Sequence, residues 1–398
     1  MRLTFLPAMA AAVVALAVTA CGSQRAAPLA TSQITQSAAG PSASSYVQAD
    51  EVPPYYLGIQ AAGDPRLVRS YAVVRATATG NLIATIRPSL PDYTVMGVAA
   101  AADDRTFVLD ESRWVGYSFA SPSRIQQWQT RYFFLLRLNF AGRPVSLTRL
   151  PMTAGRLVTG MALSRDATKL AIAVRPQPEL ATDLEQVRIY SLTTGAVRTW
   201  DAKGLVGEGV AGMGESGSGP DDTGSLSWTA DGKWLAFDWA PLSDDPSAAG
   251  TWLLNTTLGG TSLLSGSRHV QYTALGTASG CASSVAAMWT CERDTLVTPD
   301  GSVVIGGALE SPDATPNTSV EFLEYSTATG KVVHVLGQEA LKNVQERTAA
   351  VLWSNSSGSI LIGAIPDSGN GQVGIIRGNT FTPLNVPDDA IPGEGDTW

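Results

Sequence analysis

A hairpin signature that returns along the chain at near-constant intervals constrains this sequence more than any other feature. A turn carrying Asp is followed by an apolar residue four places on and another at six. Asp103 precedes Phe107 and Leu109, Asp166 precedes Leu170 and Ile172, and Asp231 precedes Leu235 and Phe237. Asp300 has Val304 with Gly306 in the second place, and Ser356 takes the Asp position before Ile360 and Ile362. Alternating apolar residues stand in front of each turn, as in Met161-x-Leu163, Leu226-x-Trp228 and Val351-x-Trp353. Alternation, a tight polar turn and alternation again specify a β-hairpin.

A second hairpin falls between successive copies of the first. Tyr190-Ser-Leu-Thr-Thr-Gly195-Ala-Val197 and Tyr325-Ser-Thr-Ala-Thr-Gly330-Lys-Val332 are near duplicates, and Val74 to Leu82 turns likewise at Gly80. Weaker copies turn at Gly142, at Gly259-Gly260 and at Gly378-Asn379, with glycine supplying a positive φ. Anchors at 103, 166, 231, 300 and 356 stand 63, 65, 69 and 56 residues apart, so each unit holds four strands plus connections. The first unit's leading hairpin has to lie in residues 55–68, around Tyr56-Leu-Gly-Ile59, where the match is degenerate. Tandem four-stranded units that cannot bury both faces alone imply an all-β, six-bladed β-propeller of antiparallel blades. A seven-bladed ring is the alternative count, and a β-sandwich is disfavoured by the paired regularity.

The repeat resembles that of the six-bladed TolB-like or WD40-like propellers, which reads Φ-x-Φ-Ser/Thr-x-Asp-Gly-x-x-Leu-x-Φ. Leu226-Ser-Trp228-Thr-Ala-Asp231-Gly232-Lys-Trp-Leu235-Ala-Phe237 matches it best, followed by Met161 to Ile172. The resemblance covers roughly residues 55 to 385 and implies fold, not function, because propellers host unrelated activities. The Trp-Asp and Gly-His dipeptides of true WD40 repeats are absent from the equivalent places.

With strands A to D in each blade, the Asp turns join A to B and the glycine turns join C to D, all on one rim. The long stretches belong to the other rim: 111–130 and 240–250 join B to C, while 204–224 and 265–292 join D to the next A. Variable connectors on a rigid scaffold are where binding residues concentrate. These stretches and their neighbours carry Trp114, Tyr117, Trp128, Asp221, Asp222, Trp239, Asp244, Asp245, Trp289 and Asp313. Aromatic residues among acids on such loops form the candidate binding face for a protein, peptide or sugar.

Residues 1–20 carry one charge, Arg2, and an apolar run interrupted by Pro7, which reads as a secretory signal too short to span a bilayer. The run ends in Val18-Thr19-Ala20-Cys21, which resembles the bacterial lipobox. That resemblance implies lipidation of Cys21, cleavage before it, and anchoring at the outer face of the bacterial cytoplasmic membrane or in the cell envelope. Residues 21–50 are small and polar and form a disordered tether with a span on the order of 30 Å. The propeller is expected over 51–388 and a flexible tail over 389–398. With Cys21 lipidated, Cys281 and Cys291 remain, and in an oxidising compartment they are expected to pair as a disulfide. A redox role is disfavoured because the spacing is not Cys-x-x-Cys.

Function classes narrow by subtraction. With 27 Lys and Arg against 35 Asp and Glu the chain is acidic, at −8, which argues against nucleic acid. Two histidines, His269 and His334, and three cysteines do not make a zinc site, and no cofactor or metal is expected. Asp221-Asp222 and Asp244-Asp245 stand in no calcium-loop frame. Gly207-Glu-Gly-Val-Ala-Gly212 has the spacing of a dinucleotide loop, but a glycine-rich continuation replaces the required helix. Neither histidine accompanies a nucleophile elbow; His334 falls in an expected outer D strand, and His269 starts a long loop. A non-catalytic, surface-tethered scaffold binding a protein or envelope component is the favoured reading. The alternative is a propeller hydrolase or lyase acting on envelope carbohydrate or peptide, with carboxylates converging at the channel mouth.

Overall fold

A computed structural model describes residues 52–61, 70–113, 130–154, 157–175, 186–202, 226–239, 250–259, 262–263, 265–270, 295–309, 319–340, 350–355, 357–365 and 372–384. All regular elements among them are strands. Blade 1 holds β1 (Tyr55–Ala61), β2 (Ser70–Ala76) and β3 (Leu82–Ile86); blade 2 holds β4 (Tyr93–Ala100), β5 (Thr106–Arg113), β6 (Arg131–Leu138) and β7 (Pro144–Ala154). Blade 3 holds β8 (Leu157–Leu163), β9 (Lys169–Arg175), β10 (Gln186–Ser191) and β11 (Val197–Asp201); blade 4 holds β12 (Leu226–Trp228), β13 (Trp234–Trp239), β14 (Gly250–Asn255) and β15 (Ser267–Val270). Blade 5 holds β16 (Leu296–Val297), β17 (Val303–Leu309), β18 (Ser319–Ser326) and β19 (Val332–Ala340); blade 6 holds β20 (Ala350–Ser354), β21 (Ile360–Ile365), β22 (Gln372–Arg377) and β23 (Thr380–Pro383). Each sheet is an antiparallel meander in chain order, so this is the six-bladed propeller that the repeat implies.

Six apolar clusters, one between each pair of neighbouring sheets, hold the ring. Phe107, Leu109 and Phe134 meet Leu57 and Val74 between blades 2 and 1. On the other side of blade 2, Val108 and Phe133 meet Leu170 and Ile172 of blade 3. Trp200 meets Trp228 and Phe237, Leu253 meets Val304, and Phe322 meets Leu361 at the next three junctions. The ring closes where Tyr56 of blade 1 buries itself among Trp353, Ile362 and Val373 of blade 6. Successive side chains of one strand serve opposite neighbours, and this period of two is why alternation in the sequence reports the blade. Polar ties cross the same junctions: Trp228 Nε1 donates to Ala162 O at 3.2 Å, and Val297 N to Ser227 Oγ at 2.9 Å.

The Asp turns share one geometry. Ser164, Thr229 and Thr298 each donate a hydroxyl hydrogen bond of 2.7 Å to the Asp two residues on. Each Asp in turn receives the backbone N–H two residues further, at 3.0–3.1 Å. For Asp231 the Lys233 N–H is the main cause of a carboxyl held below its ordinary range. Burial would raise Asp166 and Asp300, but their hydrogen bonds outweigh it and hold them low as well. The residue after each Asp position adopts positive φ: Asp104 55°, Ala167 55°, Gly232 62°, Gly301 74° and Gly358 75°.

Three sequence expectations need correction in detail. Asn355 N donates to Ile360 O as Thr229 N does to Trp234 O, which places Ser357, not Ser356, at the Asp position; Ser356 itself is outside the described residues. Residues 55–61 form one strand, β1, not half of a tight hairpin, and blade 1 has three strands among the described residues. The cause is local. Thr77 N donates to Pro54 O as Thr256 N does to Lys233 O, so Pro53 falls at the position of positive φ, which a pyrrolidine ring forbids. Finally, His269 lies on β15, stacked on Trp252 with ring centroids 4.4 Å apart, instead of starting a loop. His334 does lie on an outer strand, β19, where Glu324 Oε2 is 2.8 Å from its Nδ1.

Candidate functional site

The longest connections all leave one rim. The five A–B turns, 101–105, 164–168, 229–233, 298–302 and 355–359, are all five residues long. On the opposite rim, residues 114–130 join β5 to β6, 202–225 join β11 to β12, and 271–295 join β15 to β16. The candidate residues Trp114, Tyr117, Trp128, Asp221, Asp222, Asp244, Asp245, Trp289 and Asp313 lie outside the described residues, as do Cys21, Cys281 and Cys291. Trp239 ends β13, and its side chain is not described. What the structure does describe on this rim is the set of strand ends from which those connectors leave.

At blade 2 these strand ends bring together four residues that sequence reasoning missed. Tyr93 begins the innermost strand β4 and pairs with Arg113, the last residue of β5. Tyr132 stands near the start of β6, with its ring centroid 5.6 Å from that of Tyr93 and tilted by 47°. Arg149 of β7 lays its guanidinium 4.1 Å from the Tyr132 ring centroid. Burial, and then Tyr132, raise the Tyr93 phenol above its ordinary pKa, while Arg113 and Arg149 act against the rise. A phenol raised in this way stays protonated at neutral pH and serves as a hydrogen-bond donor, not as a base. The wall is therefore built from aromatic surface and donors, the residue types that anchor protein interfaces. It stands at the root of the 114–130 connector. Its four members come from four strands, so no linear motif announces them.

The acids beneath the wall have internal partners. Glu111 receives the Ser89 N–H at 2.9–3.0 Å; burial raises its carboxyl and that hydrogen bond counters the rise. Asp110, fully buried on β5, is ion-paired with Arg131 at the start of β6. Burial raises Asp110, and Arg131 opposes it. Ser70 of blade 1 donates its backbone N–H to Thr94 Oγ1 at 2.6 Å and its hydroxyl to Val95 O, tying blade 1 to blade 2 beside the wall. At blade 4 the acid is Asp238, which accepts the Thr251 and Thr295 hydroxyls at 2.6 Å each and the Thr295 N–H at 3.0 Å. No group of three or more His, Cys, Asp or Glu able to hold a metal ion occurs among the described residues.

Comparisons with known proteins fall on the fold alone. No family model matches the chain, and no curated protein does. Among solved structures it is similar to TolB from Acinetobacter baumannii, at 12% identity and TM-score 0.48 over 87% of this chain. It spans 66% of that protein's length. It is also similar to the periplasmic gluconolactonase PpgL from Pseudomonas aeruginosa, at 13% identity and TM-score 0.44 over 82% of each chain. A putative TolB from Agrobacterium tumefaciens gives 9% identity and TM-score 0.40, over 83% of this chain and 88% of that one.

Proposed function

We propose that this chain is an exported lipoprotein, anchored through Cys21, whose propeller is a non-catalytic scaffold that binds a protein or cell-envelope component through its long-connector rim. The observation that carries the reading is the contrast between five uniform five-residue A–B turns on one rim and three connectors of 17 or more residues on the other. Rigid blades deliver those connectors from fixed strand ends, an arrangement suited to recognition. The Tyr93, Tyr132, Arg113 and Arg149 wall supports it by supplying anchor residues at the root of one connector. The internally satisfied Glu111 and Asp238 support a binding role over carboxylate catalysis.

Crosslinking and pull-down from envelope extracts with the full chain test this reading. A partner captured by the native chain should be lost when 114–130 and 203–225 are shortened, and kept when Asp231 in a short turn is replaced by Asn. An unchanged partner set after connector shortening overturns the rim assignment. Replacing Cys21 with Ser should remove the lipid mass increment and release the protein from the membrane fraction; retention there overturns the anchor.

A further inference from the structure

Blade 2 extends further than blade 3 on the long-connector rim. Their outer strands, β7 and β11, both begin two residues after a turn glycine, at Pro144 and Val197, but β11 ends at Asp201 whereas β7 continues to Ala154. Arg149 is the first residue of that extra length. It is exposed, with its guanidinium 4.1 Å from the Tyr132 ring centroid. Arg113, opposite Tyr93 in register, is exposed as well. In blade 1, Arg87 stands as far along the chain from Gly80 as Arg149 does from Gly142, and it is a third exposed arginine on the same rim.

The charge at this place runs against that of the whole chain, which is −8. None of the three guanidiniums has a carboxylate partner among the described residues. The 87–92 connector between the two blades contributes a single acid, Asp92. The acids of β5 below are engaged internally, Glu111 by the Ser89 N–H and Asp110 by Arg131. Tyr93, raised above its ordinary pKa, adds no negative charge at neutral pH. Stacking on Tyr132 occupies a face of the Arg149 guanidinium and leaves its N–H edge, whose fork matches a carboxylate. With Arg149 over it and Tyr93 tilted against it by 47°, the Tyr132 ring is a support for that cation more than a platform for a sugar. The surface is therefore complementary to carboxylates carried on a polypeptide.

We propose that this end of blades 1 and 2 binds an acidic segment of a protein partner, its Asp or Glu carboxylates taken by Arg113 and Arg149 at the tyrosine wall and by Arg87 beside it, a chemistry that rests on the reading of the long-connector rim as the partner surface. The test is titration of the full chain, labelled with ¹⁵N-arginine, with N-acetyl-hexaglutamate amide, the neutral hexaglutamine peptide and hexagalacturonate, following arginine Nε–H resonances assigned through Arg→Gln variants. Hexaglutamate should shift the Arg113 and Arg149 resonances and bind about tenfold more tightly than hexaglutamine, an advantage that shrinks as salt is raised to about 0.5 M. Arg113→Gln and Arg149→Gln should each weaken hexaglutamate about three- to tenfold. Arg137→Gln, at an exposed arginine near the opposite end of β6, should leave it unchanged. Should Arg149→Gln fail to fold, Arg87→Gln beside the wall makes the same comparison. Equal binding of the two peptides, an equal loss in Arg137→Gln, or tighter binding of hexagalacturonate overturns the proposal, the last in favour of an acidic glycan. In the envelope pull-down, a partner lost on connector shortening but kept by the Arg113→Gln, Arg149→Gln double variant also overturns it and leaves the rim reading standing. Hexaglutamate binding at the wall together with a partner set indifferent to connector shortening supports the acidic-segment site and sinks the rim reading.

Discussion

Blades 2 and 4 place the same residue type at the same point of the repeat and surround it differently. Asp110 and Asp238 each stand seven residues after the turn Asp, on the second strand of the blade, buried and facing the next blade. Opposite Asp238 in register is Thr251, and the next blade contributes Thr295, three residues before its A–B turn. The equivalent positions around Asp110 are Phe133 and Met161, which offer no donor. Asp110 therefore relies on Arg131, and its Oδ1 has no partner among the described residues. In blades 3 and 5 the position is filled by Ala173 and Gly307, so the fold itself requires no acid there. The lesson is that one acid latches blade 4 to blade 5 through neutral donors, while the other is held only as half of a buried ion pair.

The largest expected effect comes from breaking that pair on one side. Arg131→Ala leaves a buried carboxylate uncompensated and should cost about 3–5 kcal/mol in urea unfolding at pH 7. A cost below 1 kcal/mol would mean that Asp110 is already neutral or finds another donor. Next, Asp238→Ala removes the acceptor shared by two hydroxyls and a backbone N–H, of which the hydroxyls keep their 2.8 Å bond to each other, and should cost about 1–3 kcal/mol, with protection of the Thr295 amide lost in hydrogen exchange. If that amide stays protected, the interblade latch is not what Asp238 provides.

A third acid sharpens the contrast from the other end of the same strand. Asp104 sits just before β5 in the left-handed region, with Oδ1 unpartnered among the described residues, and burial followed by the neighbouring Asp103 raises its pKa from 3.8 to about 6. A carboxyl whose folded pKa lies above its unfolded value binds more protons in the folded state. Its contribution to stability is thus present below about pH 4 and lost as pH rises to about 6. Asp104→Gly removes the titration and relieves the backbone, so it should stabilise by about 1–2 kcal/mol at pH 7 and flatten the decline between pH 4 and 6. An unaltered pH profile in that variant assigns the slope to Asp110 and Glu111 instead. The smallest effect is expected from Met161→Thr, which gives blade 3 the hydroxyl that blade 5 has. Stability should change by less than about 1 kcal/mol, because lost packing offsets the gained hydrogen bond, while the Asp110 carboxyl titrates lower by ¹³C NMR. An unmoved Asp110 titration would show that the two junctions are not interchangeable.

Much of the frame was legible because it is written locally. The turn Asp residues, the left-handed glycines and the alternation around them act within a hairpin, so Asp166, Asp231 and Asp300 and the turns at Gly195 and Gly330 could be placed from sequence. Blade 1 was degenerate for an equally local reason, Pro53. The rim residues were not legible, since Tyr93, Arg113, Tyr132 and Arg149 meet only once four strands pair, and the bulge between Val95 and Gly97 shifts the register on which their meeting depends. Nor did Gly259-Gly260 disclose that blade 4 turns through a long strap instead of a tight hairpin.

By itself, the order of amino acids determined the number of blades, the identity of the tight turns and the rim from which the long connectors leave, because backbone conformation and strand alternation are settled by near neighbours. Only the tertiary structure decided which buried acid is latched and which is merely paired, and which outer strand the next blade braces. Those outcomes rest on groups from the adjoining blade, some 50 to 60 residues away, such as the Thr295 N–H and hydroxyl for Asp238 and the Thr256 carbonyl for Arg198.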